Sequence, residues 1–169
     1  MTSIWLRALA YLAIVGGGWL VALPAGILAW ETGRAWPELR PGAFSLAGAG
    51  LFASGFGLAC WAGFCLIHVG RGTPLPLDPP RRLVTCGPYR RVRNPQGIAM
   101  VLMAAGEVLA VRSAWLWVLV PLTVAYLELV VGPWEERQLA RDFGAEYIAY
   151  RRRVRKWLPV PHCPAEVLR

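Results

Sequence analysis

Acidic residues and histidines are few in this sequence: ten Asp and Glu face eighteen Lys and Arg, and two histidines occur in 169 residues. His68 and His162 stand too far apart for any zinc-ligand spacing, so no metal is expected, and no Ser/His/Asp signature is visible. No glycine loop of the G-x-G-x-x-G or Walker type occurs, so a nucleotide site of that kind is not indicated. The four cysteines form no C-x-x-C pair, and Cys60 and Cys65 lie in an apolar run, which argues against a disulfide framework. Charged residues make up only 17% against 56% hydrophobic, with nine Trp, and that excludes disorder. The length allows a single domain, residues 1–169. A net charge of +8 resembles a nucleic-acid signal, but the charges cluster beside long apolar segments. The chain reads as a membrane protein with no nucleic-acid partner.

A hydrocarbon core of about 30 Å takes roughly 20 helical residues. Ile4 to Trp30 satisfies this with one charge, Arg7, near its end. It is overlong for a signal-peptide core, and no clear A-x-A site precedes a soluble mature domain, so a span is expected there. Phe44 to Val69 carries no charge, and His68 near its end reads as an interfacial polar residue. Gly97 to Gly132 is interrupted only by Glu107, Arg112 and Glu128, and Val111-Arg112-Ser113 reads as a tight turn within it. The expectation is an all-α integral membrane protein with four spans at about 4–30, 44–69, 97–111 and 114–132. Glycine-rich runs such as Gly16-Gly17-Gly18 and Ala47-Gly48-Ala49-Gly50 suit close helix packing within one chain, in a monomer or a homodimer.

Charge asymmetry sets the orientation. The connection 70–96 carries six arginines against Asp78, and the tail after Gly132 holds another eight basic residues. Both segments, and both termini, are therefore expected in the cytoplasm. In the tail, Leu139, Phe143, Tyr147, Tyr150, Val154 and Trp157 fall at helical spacing, with Gly144 placed to bend the helix and Pro159 and Pro161 to stop it. Such a basic amphipathic helix lies on the bilayer surface or caps the bundle.

Chemistry has few places to reside. The stretch from Leu83 to Pro95 is rich in Gly, Pro and Arg, with turn-forming Gly87-Pro88 and Asn94-Pro95 bracketing Tyr89 and three arginines. It presents backbone N–H groups, an aromatic face and cations to a ligand, or it is a rigid turn that obeys the positive-inside rule. Carboxylates inside membrane helices are costly and tend to face a cavity or bundle interior. Glu107 and Glu128 accordingly line an acceptor path or accept a proton, or they make interhelical hydrogen bonds.

The order LVTCGPYRRVRNP, a hydrophobic hairpin, then WEERQLARDFGAEYIAYRRRVRKWLP resembles the isoprenylcysteine carboxyl methyltransferase family and the related membrane phospholipid and thiol methyltransferases. Gly87, Pro88, Tyr89, Arg93 and Pro95 match the family's first element; Glu135, Glu136, Leu139, Phe143, Gly144, Tyr147, Tyr150 and Pro159 match the second. The resemblance implies a membrane-embedded, S-adenosylmethionine-dependent methyltransferase, acting on a lipophilic or small acceptor at the cytoplasmic face of a bacterial inner membrane. It places the cofactor between segments 70–96 and 133–161, with Leu83, Val84, Tyr89, Asn94, Pro95 and Glu135 as cofactor-binding residues. Arg93, suited to pairing with a carboxylate, and Glu128, suited to the acceptor path, are the candidate catalytic residues.

The family's His before the proline is Asn94 here, and the aromatic two residues after the proline is Gly97. The family's substrate-contacting Arg falls near Val131 and is absent, which favours an acceptor other than a prenylated protein carboxylate. Two rivals follow: a catalytically inactive relative serving as a membrane interaction protein, and a small transporter suggested by the intramembrane Glu residues.

Overall fold

In hydrocarbon the backbone must satisfy its own polar groups, so apolar runs of this length fold as helix. The computed structural model describes residues 6, 16–33, 41–73 and 80–161, and among these no strand occurs. A π-helical turn at Gly18–Ala22 leads into α1, Leu23–Thr32, which ends on Gly33 in the left-handed region at φ 72°. Helix α2, Ala43–Cys65, continues through a π-helical turn at Leu66–Gly70. Helix α3 is Pro95–Val111. A 3-10 turn at Trp115–Val118 opens α4, Leu119–Tyr126, which passes through a π-helical turn at Leu127–Val131 into α5, Gly132–Arg153.

Two continuous helices, Ala43–Gly70 and Trp115–Arg153, are long and apolar enough to cross a membrane, and Pro95–Val111 is apolar but shorter. Helix coincides with the expected stretches 44–69 and 97–111, whereas 114–132 is the first part of a longer helix. Of the expected first span, residues 4–15 other than Leu6 lie outside the described residues, as do Asp78, His162 and Cys163. The outward surface is apolar, with Leu46, Phe56, Phe64, Leu122 and Leu129 all exposed. A water-soluble bundle has the reverse arrangement.

Glycine lets α2 and α3 touch backbone to backbone. A Cβ on Gly48 would sit 2.6 Å from Ala110 N and Gly106 O, and one on Gly106 would sit 2.6 Å from Phe52 N. The expected intrachain packing therefore holds at Gly48, while Gly17, Gly18 and Gly50 face open space. Helix α1 joins through Leu28, buried with Val108, Leu116 and Leu119. The indole Nε1 of Trp19 donates to Thr123 Oγ1 over 2.8 Å, and that hydroxyl donates to Leu119 O.

The turn at Val111-Arg112-Ser113 is present as expected. Arg112 takes φ 58°, its guanidinium lies 4.8 Å from the Phe44 ring centroid, and Ser113 Oγ accepts the Leu116 N–H while donating to Glu31. At the other end, α5 breaks at Gly144, with φ 49° and ψ −122°. Its aromatic stripe is turned inward: Tyr147, Tyr150 and Val154 form a buried cluster with Leu83, Leu139, Phe143 and Val160. The tail helix thus packs on the loop. It also stops earlier than its apolar spacing suggests, at Arg153, because Val154 is extended and Arg93 donates to the carbonyls beyond the helix end.

Gly106→Ala should lower stability by about 1–3 kcal/mol, the usual cost of overpacking. Gly57→Ala, where nothing lies within 4 Å, should not. Thermal unfolding in detergent distinguishes the two.

Candidate functional site

The loop between α2 and α3 is held at its middle by consecutive residues that point opposite ways, as in extended chain. Leu83 enters the α5 cluster, while Val84 is buried with Ala62, Cys65, Leu66 and Tyr89. Gly87 then adopts φ 57°, which opens the short 3-10 helix Gly87–Arg90 and lets its Cα lie against Cys65; a Cβ there would be 2.6 Å from Cys65 Sγ. Tyr89 is only 8% exposed, so its ring belongs to this apolar cluster, and its carbonyl accepts the Tyr150 hydroxyl over 2.7 Å.

Arg93 is the junction between loop and tail. Its Nε donates to Val154 O at 2.9 Å, and its Nη1 donates to Glu136 Oε1 at 2.9 Å and to Tyr147 Oη at 3.2 Å. Its own N–H donates to Arg155 O, and the Asn94 N–H to Lys156 O. Glu136 is shared with Arg151 at 3.3 Å. Burial and the nearby Glu136 carboxylate push the Tyr147 hydroxyl up, so it stays protonated.

Asn94 caps α3: its Oδ1 accepts the Gly97 N–H over 2.8 Å, and Pro95, fully buried, occupies the first helical position. The neighbouring departure from the family pattern has the same origin. A Cβ on Gly97 would run into the Asn94 side chain, so Asn at 94 and Gly at 97 form one device. The cap replaces the hydrogen-bonding capacity of an imidazole without its charge.

Two carboxylates stand where α5 leaves the last apolar stretch. Glu128 is paired with Lys156 Nζ at 2.9 Å and accepts the Trp157 indole N–H. Glu135 is partly buried and has no hydrogen-bond partner among the described residues. Desolvation pushes it up to about 7, the Lys156 charge opposing and the Glu136 charge adding. An acceptor group without a donor is suited to a ligand that offers hydroxyls or an ammonium. Farther from this end, Glu107 of α3 has a buried Oε2 without a partner among the described residues.

Arg93 and Asn94 therefore meet the tail that follows α5, and Pro95 is buried beside them at the start of α3. Tyr89 and Val84 sit behind the loop, against α2, while Glu107 stands apart. Glu136, Tyr147, Tyr150, Lys156 and Trp157 take part in the junction without having been singled out as site residues. For the first three the signal was their place in the second motif; Lys156 offered none, being one basic residue among several. No group of three or more His, Cys, Asp or Glu able to hold a metal occurs among the described residues.

Asn94→Ala should cost about 1 kcal/mol through loss of the cap. In the double variant Asn94→Ala/Gly97→Ala the clash disappears, so the combined loss should fall below the sum of the single losses. Chemical or thermal unfolding of the four proteins measures the coupling.

No curated protein sequence and no solved structure matches the chain. The family model for phospholipid methyltransferase matches residues 44–146, more than half of the chain, from the start of α2 through the Gly144 break. On that match, which takes in the loop with Arg93 and the Glu135-Glu136 pair and ends before Tyr147, the chain belongs to the phospholipid methyltransferase family, of which the isoprenylcysteine carboxyl methyltransferase-like membrane enzymes are part.

Proposed function

We propose that the protein is an S-adenosylmethionine-dependent methyltransferase of the isoprenylcysteine carboxyl methyltransferase-like kind, embedded in a bacterial inner membrane. Its acceptor is a lipid met at the cytoplasmic face. The observation that carries the reading is the match to a methyltransferase family over residues 44–146, with Glu135, a partly buried carboxyl next to the Glu136 that Arg93 holds, as the first ligand contact to test.

In this reading the protein crosses the membrane four times, at about 4–30, 44–69, 97–111 and 114–132, with both termini cytoplasmic. The long helices Ala43–Gly70 and Trp115–Arg153 support two of these spans, and the apolar Pro95–Val111 packed on α2 supports a third. The cofactor lies between segments 70–96 and 133–161. Leu83, Asn94 and Pro95 form its loop side, Val84 and Tyr89 back that side from against α2, and Glu135 takes its ribose hydroxyls or its ammonium.

Bound there, S-adenosylmethionine supplies an electrophilic methyl group. The chain's tasks are to orient the two reactants and exclude water, effects that together can contribute about 7–11 kcal/mol. The paired side chains of Arg93 and Glu128, nominated by sequence for catalysis, act as positioning residues, one tying the loop to α5 and the other tying the tail to the last span. A lipid acceptor enters sideways from the bilayer, where Glu107 is the one partnerless buried carboxyl oxygen among the described residues. The family description makes a phospholipid headgroup the first class to try.

Calorimetric titration of S-adenosylmethionine into nanodisc-held protein tests the reading. Micromolar-range binding is expected, lost in Glu135→Ala, weakened in Tyr89→Ala and unchanged in Cys60→Ala. Affinity should climb as pH rises through about 7, because Glu135 is neutral below that value and a carboxylate above it. No binding by folded protein would favour the catalytically inactive relative.

A further inference from the structure

Lys156 belongs to no motif, yet it touches two parts of the site, the start of α3 and the last span. Its carbonyl accepts the Asn94 N–H over 3.2 Å, next to the Arg93 N–H bonded to Arg155 O. Its ammonium reaches Glu128 Oε2 at 2.9 Å, with a side chain only 17% exposed. The same charge acts on Glu135.

The reach of Lys156 depends on a gap in the helix surface. A Cβ on Gly132 would meet Lys156 Nζ, so glycine there leaves the groove through which the ammonium arrives. Trp157 closes the arrangement, donating its indole N–H to the other oxygen of Glu128. A solvated surface lysine would need neither the glycine nor the second donor. A partly buried ammonium with a carboxylate partner and a cleared path is a built contact, and charge-assisted bonds of this kind are the strong ones.

We propose that Lys156 is a positioning residue of the cofactor site, latching the tail onto the last span through Glu128 and presenting its charge to Glu135. This rests on the reading of Glu135 as a cofactor contact. The charged groups facing Glu135 are Lys156 from the tail and Glu136 on its own helix, with Arg93 of the loop and Arg151 of α5 engaged on Glu136. Lys156 favours the carboxylate of Glu135, Glu136 opposes it, and Lys156→Met leaves the opposition alone.

S-adenosylmethionine affinity is measured between pH 5.5 and 8.5 by calorimetry for the nanodisc-held wild type, Lys156→Met, Lys156→Arg and Gly132→Ala, a range of about three units centred on the ordinary interval of such shifted groups. Lys156→Met should weaken binding about tenfold or more at neutral pH, the size of one lost hydrogen bond to a charged group. Its acid limb should move to higher pH, and Lys156→Arg should restore both. Gly132→Ala, whose Cβ would meet Lys156 Nζ and also the Leu127 carbonyl at 2.8 Å, should reproduce the direction of Lys156→Met; it carries the test if Lys156→Met does not fold. Wild-type affinity and an unmoved limb in the variants would overturn the latch while leaving the cofactor reading intact. So would equal losses in Lys156→Met and Lys156→Arg with an unmoved limb, since that marks a merely structural lysine. A folded wild type that fails to bind would overturn the cofactor reading and the latch with it.

Discussion

One guanidinium ties the loop before α3 to the tail. Arg93 bonds Glu136, Tyr147 and Val154 O at once, joining the loop before α3 to both sides of the Gly144 break and to the residue at which α5 stops. The planar fork of arginine suits this work, since its donors are fixed relative to one another and satisfy several acceptors without further loss of freedom. Three of the residues nominated for ligand binding depend on it: Asn94 and Pro95 follow it directly, and Tyr89 is tied by Tyr150 one turn beyond Tyr147.

The two ends of the bundle are organised on different principles. Within the apolar helices contact is steric, with glycine backbones against one another and polar groups such as Thr123 and Trp19 satisfied locally. At the end where loop and tail meet, the contacts are ionic and run between distant parts of the chain. Glycine serves both ends. Gly48 and Gly106 admit a neighbouring backbone, while Gly132 admits an ammonium.

The helices were legible because their cause is local. An uncharged run such as 44–69 has one stable outcome in hydrocarbon, and Val111-Arg112-Ser113 and Gly144 mark turns by residue type. The inward face of the tail was legible from the spacing of Phe143, Tyr147, Tyr150 and Val154, though spacing alone left open what it covered. The end of α5 was not, because Arg93 and Asn94, some sixty positions earlier, set it by donating to Val154, Arg155 and Lys156 carbonyls. The same holds for Lys156 with Glu128: among so many basic residues, nothing local marks the one that is buried. Tyr89 reads as an aromatic face for a ligand, yet its ring has apolar neighbours on α2, a matter of how the loop is folded over.

The cap at the start of α3 couples two positions. Asn94 lays its side chain where a Cβ at position 97 would stand, so a residue larger than glycine there has to turn the Asn94 amide away from its present place. The first turn of α3 is thus a point where one side chain reads the size of its neighbour through a single hydrogen bond.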